Sequence, residues 1–240
     1  MEHTIFLIFF IILVLIVAVY LPVSGYFEVK KLKKSIADGN SRRKIEFYRA
    51  TVFWSWIPIF LIFILMAISD IPLESIGIKW IDIEAASAGK WIVFPTIAFY
   101  CLYLIYNIYS IIIFKYNKNS RARATKSIPA HFKSFLPITR EEKRLWDYVS
   151  VTAGITEEIL YRGYFFYALG VIFPGLSLIH ILLITTIMFG LGHIYLGKEV
   201  IRPTILGLFF GIFYIIFDSV FPVIIIHIAQ DLVVRDLFDE

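Results

Sequence analysis

The chain has 240 residues and a formal net charge of +4, and 59% of its residues are hydrophobic. With a mean hydropathy of +0.79, it is too apolar to hide its side chains in one soluble core, which excludes an ordinary soluble domain and predicts an integral membrane protein. The sequence pI of about 9.0 does not indicate a nucleic-acid partner, because the basic residues flank apolar runs, where they attract anionic lipid headgroups. The single cysteine, Cys101, excludes an intramolecular disulfide and a cysteine-based metal site.

Apolar runs of roughly membrane-spanning length follow one another along the chain. They cover residues 4–24, 51–69, 91–114, 146–168, 174–194, 203–217 and 220–237. We therefore predict an all-α fold, a polytopic transmembrane helix bundle of about seven spans, with six to eight as the range. Only Glu2 and His3 precede the first run, which lacks the basic start of a signal peptide, so we expect it to be a retained span.

The connections between these runs alternate in charge. The first and third connections are basic and the second is acidic. Their charged residues are Lys30, Lys31, Lys33, Lys34, Arg42, Arg43, Lys44 and Arg49, then Asp70, Glu74, Asp82 and Glu84, then Lys115, Lys118, Arg121, Arg123, Lys126, Lys133, Arg140, Lys143 and Arg144. Because lysine and arginine stay on the cytoplasmic side, this pattern predicts cytoplasmic basic loops, an N-terminus outside and a cytoplasmic C-terminus.

The fourth run carries charged side chains at membrane depth, namely Glu157, Glu158 and Arg162. Ionisable groups inside a span are costly and indicate pairing, transport or chemistry. Glu158 and Arg162 share one helical face, which predicts an ion pair, whereas Glu157 points about 100° away. Glu157 has no partner in its own helix, so it is the candidate general base. The alternative is a structural ion pair beside a carboxylate in a water-filled crevice.

Two later runs contribute histidines. His193 ends the fifth run beside Gly190 and Gly192, and glycine lets another backbone approach closely. In the last run His227 and Asp231 lie four residues apart on one face. Such a carboxylate commonly fixes the tautomer of its histidine and leaves the other ring nitrogen for a water or an oxyanion. The three runs therefore predict one polar pocket within the membrane.

Three motifs in this order resemble the CPBP intramembrane proteases, which include the type II CAAX prenyl endopeptidases and bacterial Abi-type proteins. They are E-E-x-x-x-R at Glu157, Glu158 and Arg162, F-x-x-x-H at Phe189 and His193, and H-x-x-x-D at His227 and Asp231. The resemblance covers residues 136–237. It implies a CPBP-like catalytic core in residues 136–240, preceded by membrane spans and basic loops in residues 1–135.

The resemblance also implies an activity, the hydrolysis of a peptide bond in a membrane-associated substrate such as a prenylated CAAX-type protein. Glu157 would activate water with help from His193, and His227 with Asp231 would stabilise the oxyanion. Members that cleave CAAX substrates usually carry Asn where this chain has Asp231. An ionised aspartate cannot donate to an oxyanion, so Asp231 would have to orient His227 or be protonated. CAAX specificity therefore does not follow from the motif alone.

The remaining motif residues would support the site. Glu158 and Arg162 would hold it together, and Phe189 would pack beneath it. Separately, the spacing of Gly207 and Gly211 predicts close packing of the sixth run against another helix.

Other functions stay open at this stage. Glu157, His193 and His227 form a competent zinc set, although no H-E-x-x-H motif is present and we favour a glutamate peptidase without a cofactor. The same residues and Asp231 could instead relay protons or a cation through a transporter. A third hypothesis is a non-catalytic immunity or scaffold protein. The expected partners are membrane lipid and a membrane-associated peptide or protein.

Overall fold

The computed structural model describes residues 2–40, 42–81, 89–126, 128 and 130–238, and these residues form helices and connections without a strand. The predicted all-α fold is confirmed. Asp82 and Glu84, which contribute to the predicted acidic connection, lie outside the described residues.

Each predicted span contains helix. The α-helices are α1 (Glu2–Leu15), α2 (Leu21–Ala37), α3 (Arg42–Ile68), α4 (Lys90–Tyr116), α5 (Lys118–Lys126), α6 (Ala130–Lys133), α7 (Arg140–Glu158), α8 (Phe165–Ile172), α9 (Leu178–Leu191), α10 (Ile201–Phe217) and α11 (Val220–Leu232). Turns of π-helix at Ile16–Tyr20 and Ile159–Tyr164 join α1 to α2 and α7 to α8. Segments of 3₁₀-helix occupy Leu73–Ile76 and Ile194–Val200.

Four helices in the described part of the chain are long and apolar enough to cross a membrane, and α9 and α11 are shorter apolar helices. The four are Thr4–Ala37, Arg42–Ile68, Lys90–Tyr116 and Ile194–Phe217. Their outer faces expose large apolar side chains such as Ile8, Trp54 and Ile105. Lipid is the solvent that suits such a surface, so the chain is an integral membrane protein.

Close contacts between helices depend on three glycines at two crossings. A Cβ added to Gly154 would lie 2.5 Å from Ile228 Cγ1, so α7 and α11 approach each other closely. A Cβ at Gly207 of α10 would lie 2.9 Å from the Phe189 ring of α9, and one at Gly211 would meet Leu182. The predicted close packing around Gly207 and Gly211 is confirmed.

The first turn of α7 is fixed by buried polar groups. Thr139 Oγ1 accepts a hydrogen bond from the Glu142 amide, and the Glu142 carboxylate accepts one from the Thr139 amide, which is a capping box. Lys44 of α3 lies 3.2 Å from that carboxylate and donates to the Leu136 carbonyl at 3.1 Å. Since α7 carries the two glutamates, these contacts set their depth in the bundle.

The connection after α3 closes the opposite end of the bundle. Ile76 is fully buried, and a Cβ added to Gly163 would lie 2.8 Å from its carbonyl oxygen. The amide of Val220 donates to the Gly77 carbonyl at 2.9 Å, and Ser219 Oγ donates to the Lys79 carbonyl at 2.6 Å. Residues 76–79 therefore pack into the end of the bundle that faces away from the basic loops.

Candidate active site

The fourth predicted span positions a buried ion pair. Glu158 and Arg162 are 0% and 1% exposed, and Arg162 Nη1 donates to Glu158 Oε1 at 2.9 Å, which confirms the predicted pair. Arg162 Nη2 also donates to the Gly207 carbonyl at 2.8 Å, and the guanidinium carbon lies 4.5 Å from the centre of the Phe189 ring. Arg162 therefore links the π-helical turn to α9 and α10.

The carboxylate of Glu158 also contacts the ring of His227. Glu158 Oε1 lies 2.6 Å from His227 Nδ1, and because an ionised carboxylate only accepts hydrogen bonds, Nδ1 carries the proton. We expected Asp231 to orient this ring from its own helix. Instead Asp231 Oδ2 faces the other nitrogen, Nε2, at 3.7 Å, which is beyond hydrogen-bond distance. The close approach of α7 and α11 at Gly154 brings Glu158 within reach of Nδ1.

Glu157 faces His227 across a small gap. Its Oε2 lies 4.0 Å from His227 Nε2 and has no hydrogen-bond partner among the described residues. The side chains of Glu157 and Asp231 keep 30% and 31% of their surface accessible although they lie within the bundle, so both line a crevice. The Oε2 atom of Glu157 is itself buried. Atoms about 4 Å apart are too far for a direct hydrogen bond and close enough for one water to contact both.

His193 lies just beyond the end of α9. Its Nδ1 is 2.9 Å from the Phe189 carbonyl, and a carbonyl only accepts, so Nδ1 donates and Nε2 of the neutral ring keeps its lone pair. The centre of the Phe189 ring lies 4.7 Å from the His193 ring and 6.2 Å from the His227 ring. Phe189 thus packs against both imidazoles. His193 is also within electrostatic range of His227 and Asp231.

The predicted residues therefore meet in one region. Glu157 and Asp231 converge on His227 Nε2, and Glu158 supports that ring from the other side. His193 packs against the ring of Phe189. These contacts join α7, the segment after α9, and α11.

The sequence did not predict two features of this site. The π-helical turn Ile159–Tyr164 begins directly after the two glutamates, and such turns occur often at functional sites. No residue pattern in the fourth apolar run predicted this π-helical turn. Two tyrosines, Tyr161 and Tyr195, lie within electrostatic range of Glu157. Tyr161 follows Glu157 by four residues and Tyr195 follows His193 by two. This closeness in sequence was the signal that could have identified them.

The candidate zinc ligands lie farther apart in this structure than the ligands of a formed zinc site. Among the residues that the structure describes, no three His, Cys, Asp or Glu side chains are grouped to bind one metal ion. Two ligands of a tetrahedral zinc, each bound at about 2.1 Å, stand about 3.4 Å apart. Glu157 Oε2 and His227 Nε2 are 4.0 Å apart.

Comparison with known proteins bears on the same part of the chain. Residues 144–233 match the family model described as type II CAAX prenyl endopeptidase Rce1-like. This range runs from the first half of α7 to just beyond α11, so it contains all the predicted site residues. No curated protein and no solved structure shows a significant match to the chain. The resemblance found in the sequence is confirmed.

Proposed function

We propose that this protein hydrolyses a peptide bond of a membrane-associated substrate by means of a water activated by Glu157. The match of residues 144–233 to the Rce1-like type II CAAX prenyl endopeptidase model supports an intramembrane protease. One observation carries the proposal. Glu157 Oε2, which has no hydrogen-bond partner among the described residues, faces His227 Nε2 at 4.0 Å inside a crevice within the bundle.

The first step is the attack of water on the scissile carbonyl. Glu157 removes a proton from the water, and the lone pair on His193 Nε2 orients it. The new carbon–oxygen bond converts the carbonyl into a tetrahedral oxyanion. An imidazolium at His227 donates from Nε2 to that oxyanion, while Glu158 stabilises the positive ring through Nδ1 at 2.6 Å.

The second step breaks the carbon–nitrogen bond. Glu157 returns its proton to the departing amine, and the oxyanion collapses to a carboxylic acid, so no other co-reactant is needed. Asp231, 3.7 Å from His227 Nε2, contributes negative charge that favours the imidazolium. We propose this chemistry without a metal or other cofactor, because the 4.0 Å between Glu157 Oε2 and His227 Nε2 lets one water contact both atoms.

The proposed topology makes the site accessible from the cytoplasm. The basic loops and the C-terminus lie there and the N-terminus lies outside, with residues 1–135 packed around a catalytic core in residues 136–240. Ile76 packs against Gly163 at the other end of the bundle, and this contact supports substrate entry from the basic side.

The test is peptide cleavage by the purified protein in liposomes. The substrates are one peptide with a farnesylated cysteine near its C-terminus and the same peptide without the lipid. The variants are Glu157→Gln and, as a matched control, the exposed Glu74→Gln. Loss of a general base lowers the rate by about 10²–10⁴-fold, so Glu157→Gln should lose at least 100-fold while Glu74→Gln equals the wild type.

Further arms separate the alternatives. A zinc chelator should leave the rate unchanged, and a loss that added zinc reverses would support the metallo-type. Equal cleavage of both peptides would remove prenylation from the substrate requirement. No cleavage by wild type, together with an ion flux that Glu157→Gln changes, would replace the protease with a transporter. Absence of both cleavage and ion flux in the wild type would favour a scaffold.

A further inference from the structure

We propose that Tyr195 is a catalytic residue that donates a hydrogen bond to the oxyanion. The inference rests on the proposed peptidase function and adds to it a donor that the motif residues lack. Ionised Glu157 and Asp231 only accept hydrogen bonds, and Nδ1 of His227 is taken by Glu158. His227 Nε2 is then the one donor that the motif residues aim at the crevice, whereas a developing oxyanion is best stabilised by more than one.

Tyr195 lies beside the histidine of the F-x-x-x-H motif. It follows His193 by two residues in the 3₁₀ segment Ile194–Val200, and the centres of the two rings are 5.9 Å apart. Its phenol is within electrostatic range of both Glu157 and Asp231. Among the described residues none exchanges a hydrogen bond with this hydroxyl, so it is available to a substrate oxygen.

The ring of Tyr195 is held in place before any substrate arrives. It packs against Phe135 with ring centres 6.3 Å apart, and the hydroxyl of Tyr48 donates to the Phe135 carbonyl. On another side the ring backs onto α2, where a Cβ added to Gly25 would lie 3.7 Å from Tyr195 Cδ1. A donor fixed in this way needs little reorganisation as charge develops, which is the condition for effective oxyanion stabilisation.

The other phenol near Glu157 is less suited to this role. Tyr161 is buried, and its hydroxyl lies against the backbone at Gly192, where an added Cβ would be 3.1 Å away. Its ring packs edge-on against Phe189 at 5.2 Å. Tyr161 therefore supports the ring below the imidazoles, whereas the ring of Tyr195 is only partly buried and lies beside His193.

The proposed role requires no proton transfer from tyrosine. The O–H bond of Tyr195 stays intact, and its hydrogen bond strengthens as the carbonyl oxygen gains negative charge. The water proton still passes to Glu157 and then to the amine. A contribution of this kind is made in the transition state, so its loss should lower kcat and leave KM nearly unchanged.

The first variant is Tyr195→Phe, which keeps the ring contacts with His193 and Phe135 and removes the hydroxyl. Loss of one oxyanion donor costs about 10²–10³-fold in kcat, and we expect that loss with an unchanged KM and an unchanged unfolding temperature. Tyr106→Phe, on the exposed face of α4, removes a phenol outside the site and should equal the wild type. If Tyr195 only stacked on His193, Tyr195→Phe would also equal the wild type, and that result would overturn the inference.

The second variant adds a donor back. The amide of asparagine donates a hydrogen bond that aspartate cannot, so the ratio of kcat with Asp231→Asn to kcat without it should be at least tenfold higher in the Tyr195→Phe background than in the wild type. This comparison cancels the effect of losing the Asp231 charge, and equal ratios in the two backgrounds would contradict a missing donor as the cause of the loss. The two proposals fail differently. Absence of cleavage by wild type overturns both, whereas cleavage that needs Glu157 and is indifferent to Tyr195→Phe overturns this inference alone.

Discussion

The buried pair between Glu158 and Arg162 gives the sharpest prediction about stability. Both side chains are almost completely buried, and they are joined at 2.9 Å. Arg162→Met keeps an unbranched side chain beside Phe189 and removes the charge. It leaves the Glu158 carboxylate in the bundle without its cation. Removing one partner of a buried ion pair costs about 3–5 kcal/mol.

The contacts around the pair place the effect within that range. Glu158 keeps its hydrogen bond to His227 Nδ1 at 2.6 Å, which still compensates part of its charge. Arg162→Met also removes the hydrogen bond to the Gly207 carbonyl and the contact between the guanidinium and the Phe189 ring. We therefore expect a loss of about 3 kcal/mol in the free energy of unfolding. The double variant with Glu158→Gln should lose less than the sum of the single variants, because no unpaired charge stays behind.

The assay is reversible unfolding of purified protein in mixed micelles with increasing SDS. Arg49→Met is the matched control, since Arg49 forms an exposed ion pair with Glu141 at 3.4 Å, and such surface pairs contribute about 0–1 kcal/mol. If the free energy of unfolding of Arg162→Met lay within about 1 kcal/mol of the wild-type value, the reasoning would be refuted. The pair would then contribute little to stability.

Two further predictions use the same assay. Gly163→Ala should lower the free energy of unfolding by about 1–3 kcal/mol, the usual cost of overpacking, because its Cβ would lie 2.8 Å from the Ile76 carbonyl. Gly175→Ala is the control and should be neutral, because there is open space around the added carbon. Equal stability of the two variants would contradict the packing of the connection into the bundle. Lys44→Met should lower the free energy of unfolding by about 3–5 kcal/mol, because it leaves the buried Glu142 carboxylate without its cation. Adding Glu142→Gln should recover part of this loss. A neutral Lys44→Met would count against the buried pair at the start of α7.

The features that the sequence predicted correctly are local or compositional. Apolar runs of sufficient length can satisfy their backbone in lipid only as helices, so the hydropathy pattern indicates the helices directly. The pair of Glu158 and Arg162 follows from a spacing of four residues within one helix. The first helix continues to Ala37, beyond the predicted end at residue 24, because its lysines are good helix formers once outside the apolar run.

The features that the sequence did not predict depend on contacts between distant segments. Glu158 reaches His227 only because Gly154 lets α7 approach α11, and no pattern within either helix specifies that approach. The insertion of Ile76 against Gly163 is likewise a contact across 87 residues. The π-helical turn after Glu158 has no established residue signature. Each of these determines the site's geometry without altering the motifs that point to it.

Isotope transfer in a single turnover tests the central claim most directly. Wild-type protein in excess over substrate, in water enriched in ¹⁸O, should release a fragment with one ¹⁸O atom in its new carboxyl group and leave the Glu157 carboxyl unlabelled, because Glu157 activates the water and forms no bond to the substrate. An unlabelled fragment with ¹⁸O in Glu157 would show that the glutamate attacks the carbonyl itself and would contradict the account.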